Sequence, residues 1–220
     1  MNKYIIKEKS INRDKLIKNG YSLSPLSYRT VECKNNNTKK LRELILEKNK
    51  GFEPGSDTYT THGQNYFIRI TDLSTINYTF FNTENTIKLS SEAIKGERQI
   101  IVNGDMCFQT ASDVGNVCIY NGDSAYYNSH IIKLGFDESL KYYIFAILKS
   151  KFGRAQVDVG GSIKGVDNFN EELLLNIDIP FPDYKDDNIN DNIKKYISII
   201  VRNIINKEEC IKNKNKNIDM

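Results

Sequence analysis

Apolar and polar positions along this chain change period several times, and the changes mark out its elements. Residues 1–37 show no sustained period: charge returns after Tyr4-Ile5-Ile6, a single helical turn fits around Leu16-Ile17, Asn19-Gly20 is a turn, and Ser24-Pro25 is extended because the residue before proline avoids the helical region. This stretch reads as a lead-in closed by the Asn35-Asn36-Asn37 loop. Thr38 can cap a helix, and Leu41, Leu44 and Ile45 share one helical face, so the pattern predicts a helix over LRELILEKNK ending near Gly51. GFEPGSDTYTTHG, from Gly51 to Gly63, predicts a long loop with few apolar anchors, of the kind that is usually functional or disordered.

Strand periods follow. In NYFIRITDLS, Tyr66, Ile68 and Ile70 alternate with Phe67, Arg69 and Thr71. Residues 82–94 carry a short strand or turn at Ile87-Lys88-Leu89-Ser90 and then a brief helix. Asn103-Gly104-Asp105 and Asn121-Gly122-Asp123 separate β-branched and aromatic runs, which predicts strands near 98–102, 105–110, 115–120 and 128–134. SLKYYIFAILKSKFGRAQ places Leu140, Tyr143, Ile144, Ile147 and Leu148 at helical spacing and predicts one helix of about four turns. NEELLLNIDI, with Asn168 or Asn170 as cap, leads to a stop at Pro180. Over 189–211, Ile193, Ile197, Ile200, Ile204 and Ile211 fall at alternating four- and three-residue steps if Lys207 fills the missing place, a coiled-coil type of seam. Ile199, Val201 and Ile205 broaden that stripe, which slightly favours packing on the chain's own core.

Composition narrows the classes. A length of 220 residues allows one large domain or a medium one with an appendage, and no apolar run approaches the ~18–20 residues of a membrane span. The expectation is a soluble, cytoplasmic protein: the first residues hold no signal-peptide core, and Cys33, Cys107, Cys118 and Cys210 are too scattered for a disulfide framework. A net charge of +3 is compatible with nucleic-acid binding without requiring it; its distribution says more, because lysines crowd both ends while the middle is rich in Tyr, Thr, Asn and Ser.

Searches for reaction chemistry return little. No phosphate loop and no dinucleotide fingerprint is present, and Gly160-Gly161 reads as a turn. With only His62 and His130, neither a zinc site nor a cysteine–histidine pair with Cys107 or Cys118 is readily assembled. Glu32-Cys33-Lys34 with Asp14 upstream is a nuclease-like triplet of a kind that arises by chance in a lysine-rich chain. The prolines are isolated from the motif by which amino-methyltransferases hold a target amine. No catalytic residue, metal or cofactor is expected, and the chain reads as a binder. A small metal-dependent nuclease, or a protein-interaction module without DNA binding, stands as the alternative.

The order of features resembles the target recognition domain of type I restriction-modification specificity subunits, and the related domains fused to adenine-N6 DNA methyltransferases. The resemblance runs from KLRELILEKNKGFEPGS through NYFIRITDLS and NGDMCFQTASDVGNVCIYNG, over a helix ending Lys149-Ser150-Lys151, to GGSIKGVDNFNEELLLNIDIPFP. It covers about residues 38–210. INRDKLIKNGYSLSPLSYRT is similar to the stretch joining such a methyltransferase to its recognition domain, with one residue inserted at Asn19-Gly20-Tyr21; this looks like a detached recognition half of a once-fused enzyme.

The resemblance implies an α+β fold: a mixed, mostly antiparallel recognition domain with short flanking helices, then a long C-terminal helix. The expected division is a lead-in at 1–37, the recognition domain at 38–183, and a helix with basic tail at 184–220. It also implies a glycine loop facing DNA, a leucine-rich turn seating it, and a proline pair ending the globular part. Expected partners are double-stranded DNA, an adenine-N6 methyltransferase subunit, in some systems a restriction subunit, and a second copy of the chain through the Ile193–Ile211 seam. Asn, Gln, Arg, Ser and Thr read base edges, and the loops at 55–64, 109–116 and 160–167 are made of these. Candidate DNA contacts are therefore Ser56, Thr58, Tyr59, Thr60, Arg69, Thr71, Thr110, Ser112, Ser162 and Lys164, with Lys151, Arg154 and Lys164 as sources of salt-sensitive phosphate contacts.

Overall fold

The structure is a computed structural model, which describes residues 5–7, 13–18, 30–32, 37–81, 86–96, 98–162 and 171–218. In chain order its elements are β1 (Ile5–Lys7), α1 (Arg13–Lys18), β2 (Thr30–Glu32), β3 (Thr38–Lys40), β4 (Glu47–Lys50), β5 (Tyr59–Thr60), β6 (Asn65–Ile68), β7 (Thr79–Phe80), β8 (Lys88–Leu89) and β9 (Ile100–Ile101). They continue with β10 (Met106–Gln109), β11 (Val117–Tyr120), β12 (Ala125–Tyr127), β13 (Ile131–Gly135), α2 (Lys141–Lys149), α3 (Lys151–Ser162), α4 (Glu171–Leu175), β14 (Asp178–Pro180) and α5 (Asp187–Ile218). The class is α+β, with a long C-terminal helix and, among the described residues, mostly antiparallel strand pairing and two parallel strand pairs. Two compact units are formed: one from 1–45 with 138–198, the other from 46–137 with 199–220.

In the first unit the end of the glycine-containing fragment becomes a two-stranded ladder, β14 against β3. Asn37 fastens its end: the Phe181 N–H donates to the Asn37 carbonyl at 2.7 Å, and the Asn37 side-chain amide donates to the Pro182 carbonyl at 3.0 Å. The Tyr143 hydroxyl donates to the Pro180 carbonyl, and its ring lies 5.7 Å from that of Phe181. Lys39 and Lys194 stand over the same Phe181 ring at 5.7 and 5.9 Å. Proline suits such a place because a short edge strand has no need of the donor that proline lacks. Past Pro182 the chain turns and α5 begins, as the resemblance implies.

The second unit stacks two sheets. Their strand orders are β4-β13-β10-β11-β7 and β5-β8-β6-β12-β9. Ile68, Ile101, Ala125 and Tyr127 from one sheet meet Phe80, Cys107, Cys118, Tyr120 and Ile131 from the other in a single buried cluster. Burial holds the Tyr120 and Tyr127 phenols neutral, their pKa values pushed well up, and both stay hydrogen-bond donors, to the carbonyls of Asp123 and Asn49. Gly51 marks the place where β4 leaves its sheet: a Cβ there would lie 2.2 Å from the Tyr127 carbonyl oxygen and 2.3 Å from that of Asn128. At the other edge, Glu208 of α5 accepts the N–H groups of Tyr78 and Thr79 at 3.0 and 2.8 Å and the Thr79 hydroxyl at 2.6 Å. A helix carboxylate thus occupies donors of edge strand β7 that would otherwise be open to another strand.

Several expected elements are corrected. The helix over LRELILEKNK is one 3-10 turn, Leu41–Glu43, followed by strand β4. Local spacing favoured a helix, but Leu41 is drawn into the core and donates its N–H to the Ile177 carbonyl, and Glu47–Lys50 find a partner in β13. The 51–63 loop has aromatic anchors: the Phe52 ring packs edge-on against Phe67 and Tyr126, Tyr59 packs on Phe67, and β5 pairs with β8. The expected four-turn helix is two, because the Ser150 hydroxyl donates to the Ile147 carbonyl closing α2 and accepts the Gly153 N–H opening α3. The strand in NYFIRITDLS stops at Ile68, where a 3-10 turn at Ile70–Asp72 takes over. β1, β2, β3, β7 and β12 were not expected. The strands expected near 98–102, 105–110, 115–120 and 128–134 are β9, β10, β11 and β13, which match within a few residues, and the C-terminal helix is longer than 189–211.

Two substitutions test this packing. Gly51→Ala is expected to destabilise by about 1–3 kcal/mol, since the clash is with backbone. Glu208→Ala is expected to cost about 1–3 kcal/mol by leaving backbone donors of the edge strand unpaired, with Glu208→Gln recovering part of the loss. Urea denaturation midpoints of the two variants against the unaltered chain provide the measurement.

Candidate functional site

Two sets of hydrogen bonds, joined through the backbone at Gln109-Thr110, form a rim that links three polar loops of the second unit. At one end, the Glu53 carboxylate accepts the Asn128 side-chain amide at 2.6 Å and the Ser129 hydroxyl at 3.4 Å, and it is hydrogen-bonded to the Tyr59 phenol. Burial, then the charge of Glu53, raises the Tyr59 pKa, so this phenol is a neutral donor. The Asn128 side-chain carbonyl accepts the His130 N–H at 2.8 Å, and the His130 carbonyl accepts both the N–H and the hydroxyl of Thr110, at 2.9 and 3.0 Å. Thr110 opens the loop between β10 and β11.

The next link is a buried pair of amides. Gln109 donates from its side chain to the Ala111 carbonyl at 2.8 Å, and Asn116 donates to the Ser74 carbonyl at 3.0 Å and to the Gln109 side-chain oxygen at 3.3 Å. The Cys118 thiol also donates to the Ser74 carbonyl, at 2.9 Å. Ser74 begins the third loop, where its hydroxyl accepts the N–H groups of Ile76 and Asn77 at 3.3 and 2.8 Å. Both amides are nearly inaccessible to solvent, so their bonds are made in a low-dielectric setting where leaving one unmade is costly.

The predicted residues distribute over this rim unevenly. Ser56 is exposed at the start of a 3-10 turn; the Thr58 hydroxyl donates to the Gly55 carbonyl at 2.7 Å, and the Thr60 hydroxyl to the His62 carbonyl at 2.9 Å. Arg69 is tied to Asp72 by its backbone N–H at 2.8 Å and its guanidinium at 3.2 Å, and Thr71 is exposed in the same turn. Thr110 is only 7% exposed and serves to fix its loop. Ser112 is exposed at the tip of that loop with φ at 64°, a left-handed conformation that costs a residue with a Cβ about 1–2 kcal/mol. Ser162 ends α3 in the first unit, and Lys164 lies outside the described residues. Sequence reasoning missed Glu53, Asn128-Ser129-His130 and the 74–77 loop. The three polar turn-forming residues after Tyr127 were a usable signal, absorbed instead into a strand beginning at 128.

On α5, the residues of the expected seam divide. Ile193, Ile197 and Ile204 are half-buried, while Ile200 and Ile211 are 59% and 52% exposed. The fully buried apolar positions are their neighbours Val201 and Ile205. Tyr196 and Ile199, 64% and 42% exposed, join Ile200 in an apolar patch on the helix. Among the described residues there is no group of three or more His, Cys, Asp or Glu able to hold a metal ion, and no helix long and apolar enough to cross a membrane.

No protein-family model matches the chain, and no curated protein does. Solved structures do. The chain is similar to one in a structure described as the basis of complex assembly and conformational transition of the type I R-M system, with a TM-score of 0.51 and 16% identity over 83% of this chain and 42% of that one. It is similar to the type IIG restriction endonuclease BpuSI, with a TM-score of 0.53 and 11% identity over 76% of this chain and 27% of that one. The HsdS subunit from Thermoanaerobacter tengcongensis aligns with a TM-score of 0.48 and 15% identity over 80% of this chain and 39% of that one. The chain therefore spans less than half the length of each. At these identities what is shared is the fold, and it is a fold found in the restriction-modification proteins that the sequence resembles.

Proposed function

We propose that this chain is a sequence-reading DNA-binding specificity component that directs an adenine-N6 DNA methyltransferase, and in some settings a restriction subunit, to its target site. The observation that carries the reading is the rim in which Glu53, Asn128, Thr110, Gln109, Asn116 and Ser74 join three polar loops into one fixed surface. A surface that discriminates base edges needs short polar side chains held before the DNA arrives, because ordering loops on binding would consume affinity. Ser56, Tyr59, Thr71 and Ser112 stand on or beside it, with residues 38–183 acting as the recognition domain and Ser162 and Lys164 adding backbone contacts. The chain itself supplies no catalysis in this reading and acts in the cytoplasm.

The exposed apolar patch on α5 supports a partner on that helix. The helix starts acidic, with Asp187 and Asp191, and in its second half Arg202, Lys207, Lys212 and Lys214 outnumber Glu208 and Glu209. Two copies laid antiparallel would set each acidic start beside the other's basic end, and two recognition domains would then read an interrupted symmetric site. One copy docked on the methyltransferase would read a single short site instead.

The deciding experiment is co-purification with an adenine-N6 methyltransferase of the same genome, followed by mapping of methylated adenines in DNA treated with the pair and with each protein alone. Methylation at one defined motif by the pair only is the expected result; no complex and an unchanged pattern would end the reading. Ser112→Gly provides a second measurement: relief of the left-handed strain is expected to stabilise the chain by about 1 kcal/mol while specific DNA affinity falls. A gain in thermal midpoint with affinity intact would remove Ser112 from the contacts.

A further inference from the structure

The 74–77 loop belongs to none of the expected contacts, yet its backbone is held by several hydrogen bonds. Its tip, Thr75-Ile76-Asn77, is exposed throughout, and Ile76 at 85% is the most exposed large apolar side chain described. A lone exposed isoleucine on a slack loop would need no explanation. This one is held from both sides. The Ser74 hydroxyl takes the N–H groups of Ile76 and Asn77, the Ser74 carbonyl takes Asn116 and Cys118, and the next two N–H groups, of Tyr78 and Thr79, go to Glu208. Asn116 is the same residue that braces the Ser112 loop through Gln109. The two tips are therefore fixed to one buried bracket.

From this we infer that Ile76 is a specificity-determining residue that contacts the 5-methyl group of a thymine in the major groove. The inference rests on the DNA-reading function proposed above and deepens it. Chemistry selects the ligand. An A·T pair offers in its major groove the thymine methyl and O4 beside the adenine N7 and N6, which asks for one apolar group flanked by groups that donate and accept. Isoleucine between threonine and asparagine is such a set, with no charge in the triplet to favour a phosphate. The minor groove carries no methyl group for an apolar tip to cover.

The test uses the full chain, with its methyltransferase if the two co-purify, and duplexes carrying the motif identified by methylation mapping. Each thymine in turn is replaced by deoxyuridine, which deletes only the methyl, and binding is followed by fluorescence anisotropy for the unaltered chain and for Ile76→Ala. Burial of one methyl predicts about a three- to fivefold loss for the unaltered chain at one thymine. Ile76→Ala is expected to start weaker on the normal duplex, to lose nothing further at that thymine, and to match the unaltered chain on non-specific DNA. A thermal melt confirms that the exposed substitution leaves the fold intact. An Ile76→Ala variant with unchanged affinity and an unchanged uracil profile overturns the inference and leaves DNA reading standing. So does an affinity loss in the variant when the unaltered chain is insensitive to uracil at every position, because the contact is then not to a methyl. Absence of any salt-sensitive DNA binding by the unaltered chain overturns the parent reading together with the inference.

Discussion

Two buried amide side chains, Gln109 and Asn116, hold the far end of the β10–β11 hairpin, and the exposed surface of the second unit depends on them. Buried side-chain amides must find partners, and carbonyls of the adjoining loops supply them. Gln109 finds one at Ala111, Asn116 one at Ser74, and the two meet each other. Because both residues sit at the ends of strands already locked by ladder pairing, their amides are placed by the sheet and not by the loops. Order therefore runs outward, from the core to the tips.

The same logic applies at the second end of the rim. Tyr59 is seated by its ring on Phe67 and aimed by its hydroxyl at Glu53, while Glu53 in turn receives Asn128 from the turn between β12 and β13. Asn128 follows Tyr127, whose ring lies in the core shared by the two sheets. Gly51 permits the backbone of β4 to pass against the carbonyls of Tyr127 and Asn128, so close packing of backbone on backbone positions the polar groups above it. A site built in this way is pre-formed, at the expense of tolerating very little change beneath it.

Glu208 draws the C-terminal helix into this arrangement. By accepting three donors at Tyr78 and Thr79 it closes a sheet edge and steadies the segment that leads out of the 74–77 loop. Asn121 donates to the neighbouring Glu209, and Lys212 lies over the Phe81 ring at 3.6 Å, so the contacts run along just over one turn of α5. A helix whose late residues are engaged in this way keeps other faces free, and the exposed Tyr196, Ile200 and Ile211 lie on such faces.

Much of the framework was determined by local sequence. Asn-Gly-Asp turns located β9, β10, β11 and β13 because they separate runs of β-branched and aromatic residues, and the proline pair marked the end of β14. The loops around Ser56, Thr58, Tyr59, Thr60 and Ser112 were legible as small, polar stretches. Tertiary structure alone decided the rest. Leu41 to Lys50 carries a helical pattern, yet burial of Leu41 and pairing with β13 outweigh a propensity worth only tenths of a kcal/mol per residue. A serine's hydroxyl split one helix into two. The rim was invisible because its links join Ser74 to Asn116, Glu53 to Asn128 and Thr110 to His130, residues far apart in the chain whose hydrogen bonds leave no periodic trace in the sequence.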